Sequence, residues 1–167
     1  MDPSDVMNFV EDILKDKFQN EVFTDVLPKD FGRPSFALEL QKDDFVDLNI
    51  GLVQKTVTIL ITGFVEVNAY YDSSRKELNH RQNAVMEIFA GPGIKVGDRH
   101  LTLSANKGTG APDFFEVQLV FSWSDVRPGY HDPDDMNDPV SAAVPKMEDF
   151  EFNNQFSALP SHERTNL

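Results

Sequence analysis

Cysteine is absent from the 167 residues. That excludes disulfides, thiolate zinc centres and cysteine nucleophiles, and makes the cytosol the expected compartment. Tryptophan occurs once and tyrosine three times against fourteen phenylalanines, so nearly all the aromatics lack a polar handle and suit a buried core. No stretch approaches the ~18 consecutive apolar residues of a membrane helix. Met1-Asp2-Pro3 opens with neither a basic n-region nor an apolar h-region, so a soluble chain without a secretory signal is expected. Bases are few: 15 Lys and Arg stand against 28 Asp and Glu, a net charge of −13. A nucleic-acid surface needs a basic face to displace counterions from phosphates, and an anionic membrane attracts bases in the same way. Neither partner is expected. The charge excess serves solubility, or a surface past which nucleic acid moves without sticking.

The usual marks of catalysis are also missing. His80, His100, His131 and His162 are scattered, with no HExxH or HxH spacing. There is no GxSxG elbow. Gly91-Pro92-Gly93 and Gly97 give GxGxxxG after a helix rather than GxGxxG between a strand and a helix. Asn106-Lys107-Gly108-Thr109-Gly110 lacks the GK[ST] ending of a phosphate loop. Read as a calcium loop from Asp132, the chain places Met136 and Asn137 where an acid or amide and then a glycine are required. Paired carboxylates such as Asp43-Asp44 are commonplace in so acidic a chain. No enzyme, cofactor or metal site is expected.

What is present is a run of amphipathic elements. Val6, Phe9, Val10, Ile13, Leu14 and Phe18 form one helical stripe opposite charged residues, with Ser4 as the expected N-cap. Phe36, Leu38 and Leu40 alternate through a strand from Ser35 to Gln41 that Pro34 introduces. A longer strand is expected from Gln54 to Asn68, with Gly63 marking a bulge or a close approach. A second helix spans Arg75 to Ala90, capped by Ser73 or Ser74 and ended by Gly91-Pro92-Gly93. Ile94–Val96, Gly97-Asp98 and His100–Ser104 read as a short hairpin. Phe115, Val117, Leu119, Phe121 and Trp123 then alternate through a half-buried strand. This order predicts an α+β fold, a mixed and mainly antiparallel sheet flanked by two helices.

From Asp125 onward the character changes. This last quarter holds five of the ten prolines, nine acids and three bases, and no apolar periodicity. The expected organisation is a domain over 1–125 and an extended acidic, Pro-rich C-terminal arm over 126–167.

Two features suit contact with another protein. Between Lys42 and Val53, Phe45, Val46, Leu48 and Ile50 stand among aspartates in what reads as a loop. Such residues pack either on their own sheet, as a hairpin, or on a neighbour. In the arm, Met147 to Phe152 alternates apolar with acidic residues, and Phe150 and Phe152 would fit a strand added to a foreign sheet edge.

The opening helix, EVFTDVLPKDFGRPSFALEL, the strand QKTVTILITGFVEVNAYY, the capped helix and FFEVQLVFSWSD together resemble the tail terminator (tail completion) proteins of phages and phage-tail-like particles. The likeness covers roughly residues 5–125, and its most specific part is the strand entry Pro34-Ser35-Phe36. It implies a virion structural protein that assembles in the host cytoplasm as a homo-oligomeric, six-fold ring. The ring caps the tail tube, ends polymerisation of tube and sheath, and joins the neck while DNA passes through. Two other roles fit the same residues: a head–tail connector or neck subunit, and an acidic inhibitor that mimics nucleic acid. The mimic needs a phosphate-like array of carboxylates on one folded face, whereas residues 125–167 carry −6 of the total and residues 1–124 carry −7.

Overall fold

The computed structural model describes residues 1–91, 93–135 and 137–140. Helix α1 spans Pro3–Phe18. Its cap is Asp2, two residues ahead of the expected Ser4: Asp2 Oδ1 accepts the Ser4 N–H at 2.9 Å and Asp5 Oδ2 accepts the Asp2 N–H at 2.9 Å. Pro3 suits the first helical position, where no donor is required, and so moves the start upstream. Gln19 ends the helix in the left-handed region at φ 54° and donates its N–H to the Lys15 carbonyl. Helix α2 spans Arg75–Ile88 after Ser74, whose side chain makes no capping bond.

Six strands follow the order β1-β2-β3-β6-β5-β4 across the sheet. They are β1 (Glu21–Thr24), β2 (Ser35–Asp47), β3 (Leu52–Phe64), β4 (Ile94–Val96), β5 (Arg99–Lys107) and β6 (Phe114–Val126). Among the described residues only β1 and β2 pair in parallel; the other pairs there are antiparallel. The mixed, mainly antiparallel α+β architecture is therefore the one its alternation predicts. Val6, Val10 and Leu14 of α1 and Leu78 and Val85 of α2 join one buried cluster with the alternate residues Val57, Ile59 and Ile61 of β3 and Phe115–Trp123 of β6. Each such side chain contributes roughly 1.5–3 kcal/mol on burial.

Two boundaries differ from expectation. β3 ends at Phe64 rather than Asn68. The segment Lys42–Val53 is no loop: β2 runs on to Asp47 and β3 starts at Leu52, which leaves only a four-residue tip. The reason is a β-bulge. Register shifts between Leu40 and Lys42, so Gln41 is an extra residue, and the phase of the alternation reverses there. Before the bulge Phe36, Leu38 and Leu40 share a face with Gly63, Ile61 and Ile59; after it Asp43, Phe45 and Asp47 share that face with Val57, Lys55 and Val53. A pattern broken by one residue reads as a loop when a strict period of two is applied.

Gly63 is a point of close approach. It pairs with Phe36 on one side and Phe115 on the other, and the Phe115 ring lies over it where a Cβ would be. At the same end of the sheet Arg33 fastens the connection between β1 and β2. Its guanidinium bonds the Asp113 carboxylate at 2.8 Å and the Asp113 carbonyl at 2.9 Å, and stacks over Phe31 and Phe64 with centroid distances of 5.1 and 5.0 Å.

Candidate functional site

The exposed apolar side chains are concentrated. Of the twelve large hydrophobic residues exposed among those described, nine belong to the segment Val26–Leu52 or to Val126 beside it. Four are the predicted contact residues: Phe45 is 70 % exposed, Val46 63 %, Leu48 49 % and Ile50 82 %. The structure brings these four together at the β2–β3 hairpin end. Phe45 and Val46 point to opposite faces of the sheet, and Leu48 and Ile50 occupy the tip. Phe150 and Phe152 lie outside the described residues.

The tip is held, not loose. Asn49 Oδ1 accepts the N–H groups of Gly51 and Leu52, both at 2.9 Å, and the Leu48 and Asn49 N–H groups bond the Leu52 carbonyl. β6 runs beside β3 all the way to the Leu52–Val126 pair, so the hairpin is backed by a third strand. Past that strand the chain turns back at Pro128-Gly129 (φ of Gly129 75°). The Arg127 N–H donates to the Gly51 carbonyl at 2.9 Å, its guanidinium meets Asp47 at 2.8 Å and the Asn49 carbonyl at 3.2 Å, and the Tyr130 ring covers Gly51. Arg127 and Tyr130 therefore shape this end, although their composition assigns them to the arm. The signal for them is the Pro128-Gly129 pair, which marks a turn that returns the chain. Preorganised apolar groups lose little conformational entropy when a partner covers them, so such a tip can dock at low cost.

A second surface is the uncovered face of β3 and β6. Alternate positions from Gln54 to Thr62 and from Glu116 to Ser124 carry Thr, Gln, Ser, Leu and Val, with one acid and no Lys or Arg. Gln118 Nε2 donates to Gln41 Oε1 across this face at 3.0 Å. These two strands offer phosphates no cation to hold.

Asp125 pairs with Val53 across β6 and β3. Burial by itself would raise its carboxyl, but the Val126 N–H, the Arg99 guanidinium at 2.9 Å and the Met1 amino group together hold it below its usual 3.8. No group of three or more His, Cys, Asp or Glu able to hold a metal occurs among the described residues.

The exposed apolar side chains gather mainly along the free edge of β2 and at the hairpin end. Residues 5–117, more than half of the chain, match the family described as phage tail terminator protein. The chain belongs to that family, and its role is that of a tail structural protein. No curated protein matches the chain.

Proposed function

We propose that this chain closes into a homo-oligomeric ring of six copies that caps the tail tube. The ring stops polymerisation of the tube, and of the sheath where the tail is contractile. It assembles in the host cytoplasm and then presents a platform to the neck. The observation that carries this reading is the preorganised hairpin end, where Phe45, Val46, Leu48 and Ile50 make an intersubunit or tube-facing contact. The neutral face of β3 and β6 and the overall negative charge suit a lumen through which DNA slides. Phe150 and Phe152, in the acidic arm over 126–167, add a strand to a neighbouring chain.

Electron microscopy of particles made with and without this chain tests the proposal. Overlong or ragged tubes in its absence are the expected result. Tubes of normal length that fail to join heads would move the role to a head–tail connector. Intact, infectious particles would refute both.

A further inference from the structure

The two edges of the sheet differ in charge and are stepped in opposite senses. At one edge β1 lies beside β2 only from Ser35 to Leu38. Beyond it no strand covers β2 among the described residues, and Glu39–Asp47 carries four acids and one base. At the other edge β4 lies beside β5 only from Arg99 to Leu101 and leaves Thr102–Lys107 without an outer strand. Residues 75–107, which comprise α2, β4 and β5, hold six bases against three acids, a net +3 in a chain whose remainder is −16.

The registers fix which levels face each other. Val46 pairs with Gln54 and Gln54 with Ser124. Thr102 is level with Ser122, and continuing that register by two residues sets His100, with its partner Lys95, at the level of Ser124. The uncovered acidic stretch of β2 therefore stands at the level of β4 on the opposite edge. β1, at the far end of β2, stands level with the end of β5, where the edge recedes: Thr24 is opposite Leu38, and Lys107 opposite Val117 at that same level.

We infer that copies of this chain join edge to edge, head to tail, with β4 of one copy pairing in parallel along the uncovered stretch of β2 of the next. This rests on the ring reading above and names its joint. A rotation about an axis along the strands preserves both level and strand direction, so the two steps interlock rather than collide. β2 and β4 run the same way, because β2 to β3 to β6 to β5 to β4 alternates in direction four times. Charge selects this pairing over its rival. Two acidic β2 edges meeting each other would repel, which removes the two-fold dimer, whereas Lys95 comes level with Val46 and diagonally within reach of Asp44, which already pairs with Lys42 in its own subunit. Lys95 makes no ion pair within the described residues. A heterologous joint of this kind propagates round a closed ring.

The absence of cysteine makes the test direct. Neighbouring strands hold facing Cα atoms within the span a disulfide bridges. The full-length double variant Val46→Cys/Lys95→Cys, with Asp44→Cys/Lys95→Cys to cover a slipped register, is oxidised both in solution and in purified particles. Val46 and Lys95 are exposed and Asp44 is half-buried, and a melting curve equal to that of the unsubstituted chain verifies the fold. The expected result is a ladder of covalent multimers from at least one pair and monomers from every single variant. Lys95→Glu is expected to lower the multimer population at least tenfold, with Lys95→Arg neutral. Covalent dimers from Val46→Cys alone would establish β2-to-β2 pairing and overturn the joint. Rings seen by native mass spectrometry with no ladder from either pair would overturn the joint and leave the ring standing. A monomer in solution and in particles would overturn both.

Discussion

Gly63→Ala is the most informative single change inside the domain. An added Cβ would sit 2.1, 2.4 and 2.7 Å from three atoms of the Phe115 ring. Real Cβ contacts begin above 3.0 Å, so the ring must move by roughly an ångström. It has little space to do so: Phe115 is 2 % exposed and meets Phe36, itself fully buried, edge-on at 6.5 Å between centroids. Overpacking of this kind costs about 1–3 kcal/mol. The substitution also stiffens the unfolded chain, which works the other way by about 0.4–1 kcal/mol. Because the clash is severe and the neighbours are tightly packed, the net expectation is a loss of about 2 kcal/mol, within the range for core overpacking. For a chain of this size that is a fall in Tm of roughly 4–8 °C.

The assay is a double-mutant cycle followed by urea unfolding. Phe115→Leu withdraws the ring and is expected to cost about 1–2 kcal/mol by itself as a partial truncation of a buried aromatic. In that background Gly63→Ala should cost less than about 0.5 kcal/mol, so the two changes couple. An equal cost for Gly63→Ala in both backgrounds, or a rise in Tm from Gly63→Ala alone, would refute the argument that the ring needs the glycine.

Three further outcomes follow from the geometry. Replacing Phe45, Leu48 and Ile50 together with Ser should shift Tm little, since exposed sites typically change stability within about ±0.5 kcal/mol each, while assembly into particles is lost; a normal particle yield would remove these residues from the contact. Truncation after Tyr130 should leave a domain that melts cooperatively but attaches weakly to particles, whereas truncation after Pro128, which takes Tyr130 from Gly51, should also raise hydrogen exchange at the tip amides. Asp125 has a lowered carboxyl value, so its contribution is present above the unfolded value near 3.8 and fades as pH falls through the folded one; Asp125→Asn should be less stable than the unsubstituted chain at pH 6–7, and the gap, read from urea midpoints, should close below about pH 3.8.

The sequence carries much of this fold because its periodicities are strong. The helical stripe from Val6 to Phe18 and the alternation from Phe115 to Trp123 each bury one face, and burial is what writes a period into a sequence. What was not legible has specific causes. The β2–β3 hairpin reads as a loop because Gln41 shifts the alternation from even to odd positions, though the reversal between Leu40 and Phe45 was itself the sign of a bulge. The helix cap reads as Ser4 because both Asp2 and Ser4 are good caps, and only Pro3 between them decides the matter. Arg127 and Tyr130 act through contacts with Asp47 and Gly51, some eighty residues away in sequence, and no local pattern encodes such a pair. The four apolar residues at the hairpin end were visible as candidates. Their exposure was not, since an apolar residue on a strand is equally compatible with packing on its own sheet.

The bulge connects these points. Were Gln41 an ordinary paired residue instead of the extra one, the alternation begun by Phe36 and Leu38 would place Lys42, Asp44 and Val46 on the face that carries Ile59 and Ile61, and Phe45 on the open one. With Gln41 as the extra residue, Asp43, Phe45 and Asp47 take the covered side of the sheet at a level where β2 has no outer neighbour, so Phe45 remains 70 % exposed. Asp44 and Val46 take the open side, and Val46 comes to the level of Lys95 when the β5–β6 register is continued to His100. An edge strand of this length would ordinarily invite indiscriminate pairing, and bulges and charges are the two devices that prevent it. Here the same two devices leave the edge repelling its own kind while it matches the opposite edge in charge and level. Protection from aggregation and selection of a head-to-tail neighbour are then one property of the strand. Deleting Gln41 should separate them: Leu40 and Lys42 keep Ile59 and Thr58 as partners, so the level, the charges and the Asp47–Arg127 contact stay and hydrogen exchange at Leu48–Leu52 is unchanged, while aggregation followed by light scattering rises. Aggregation no greater than that of the unsubstituted chain would mean that the bulge is not one of the guards.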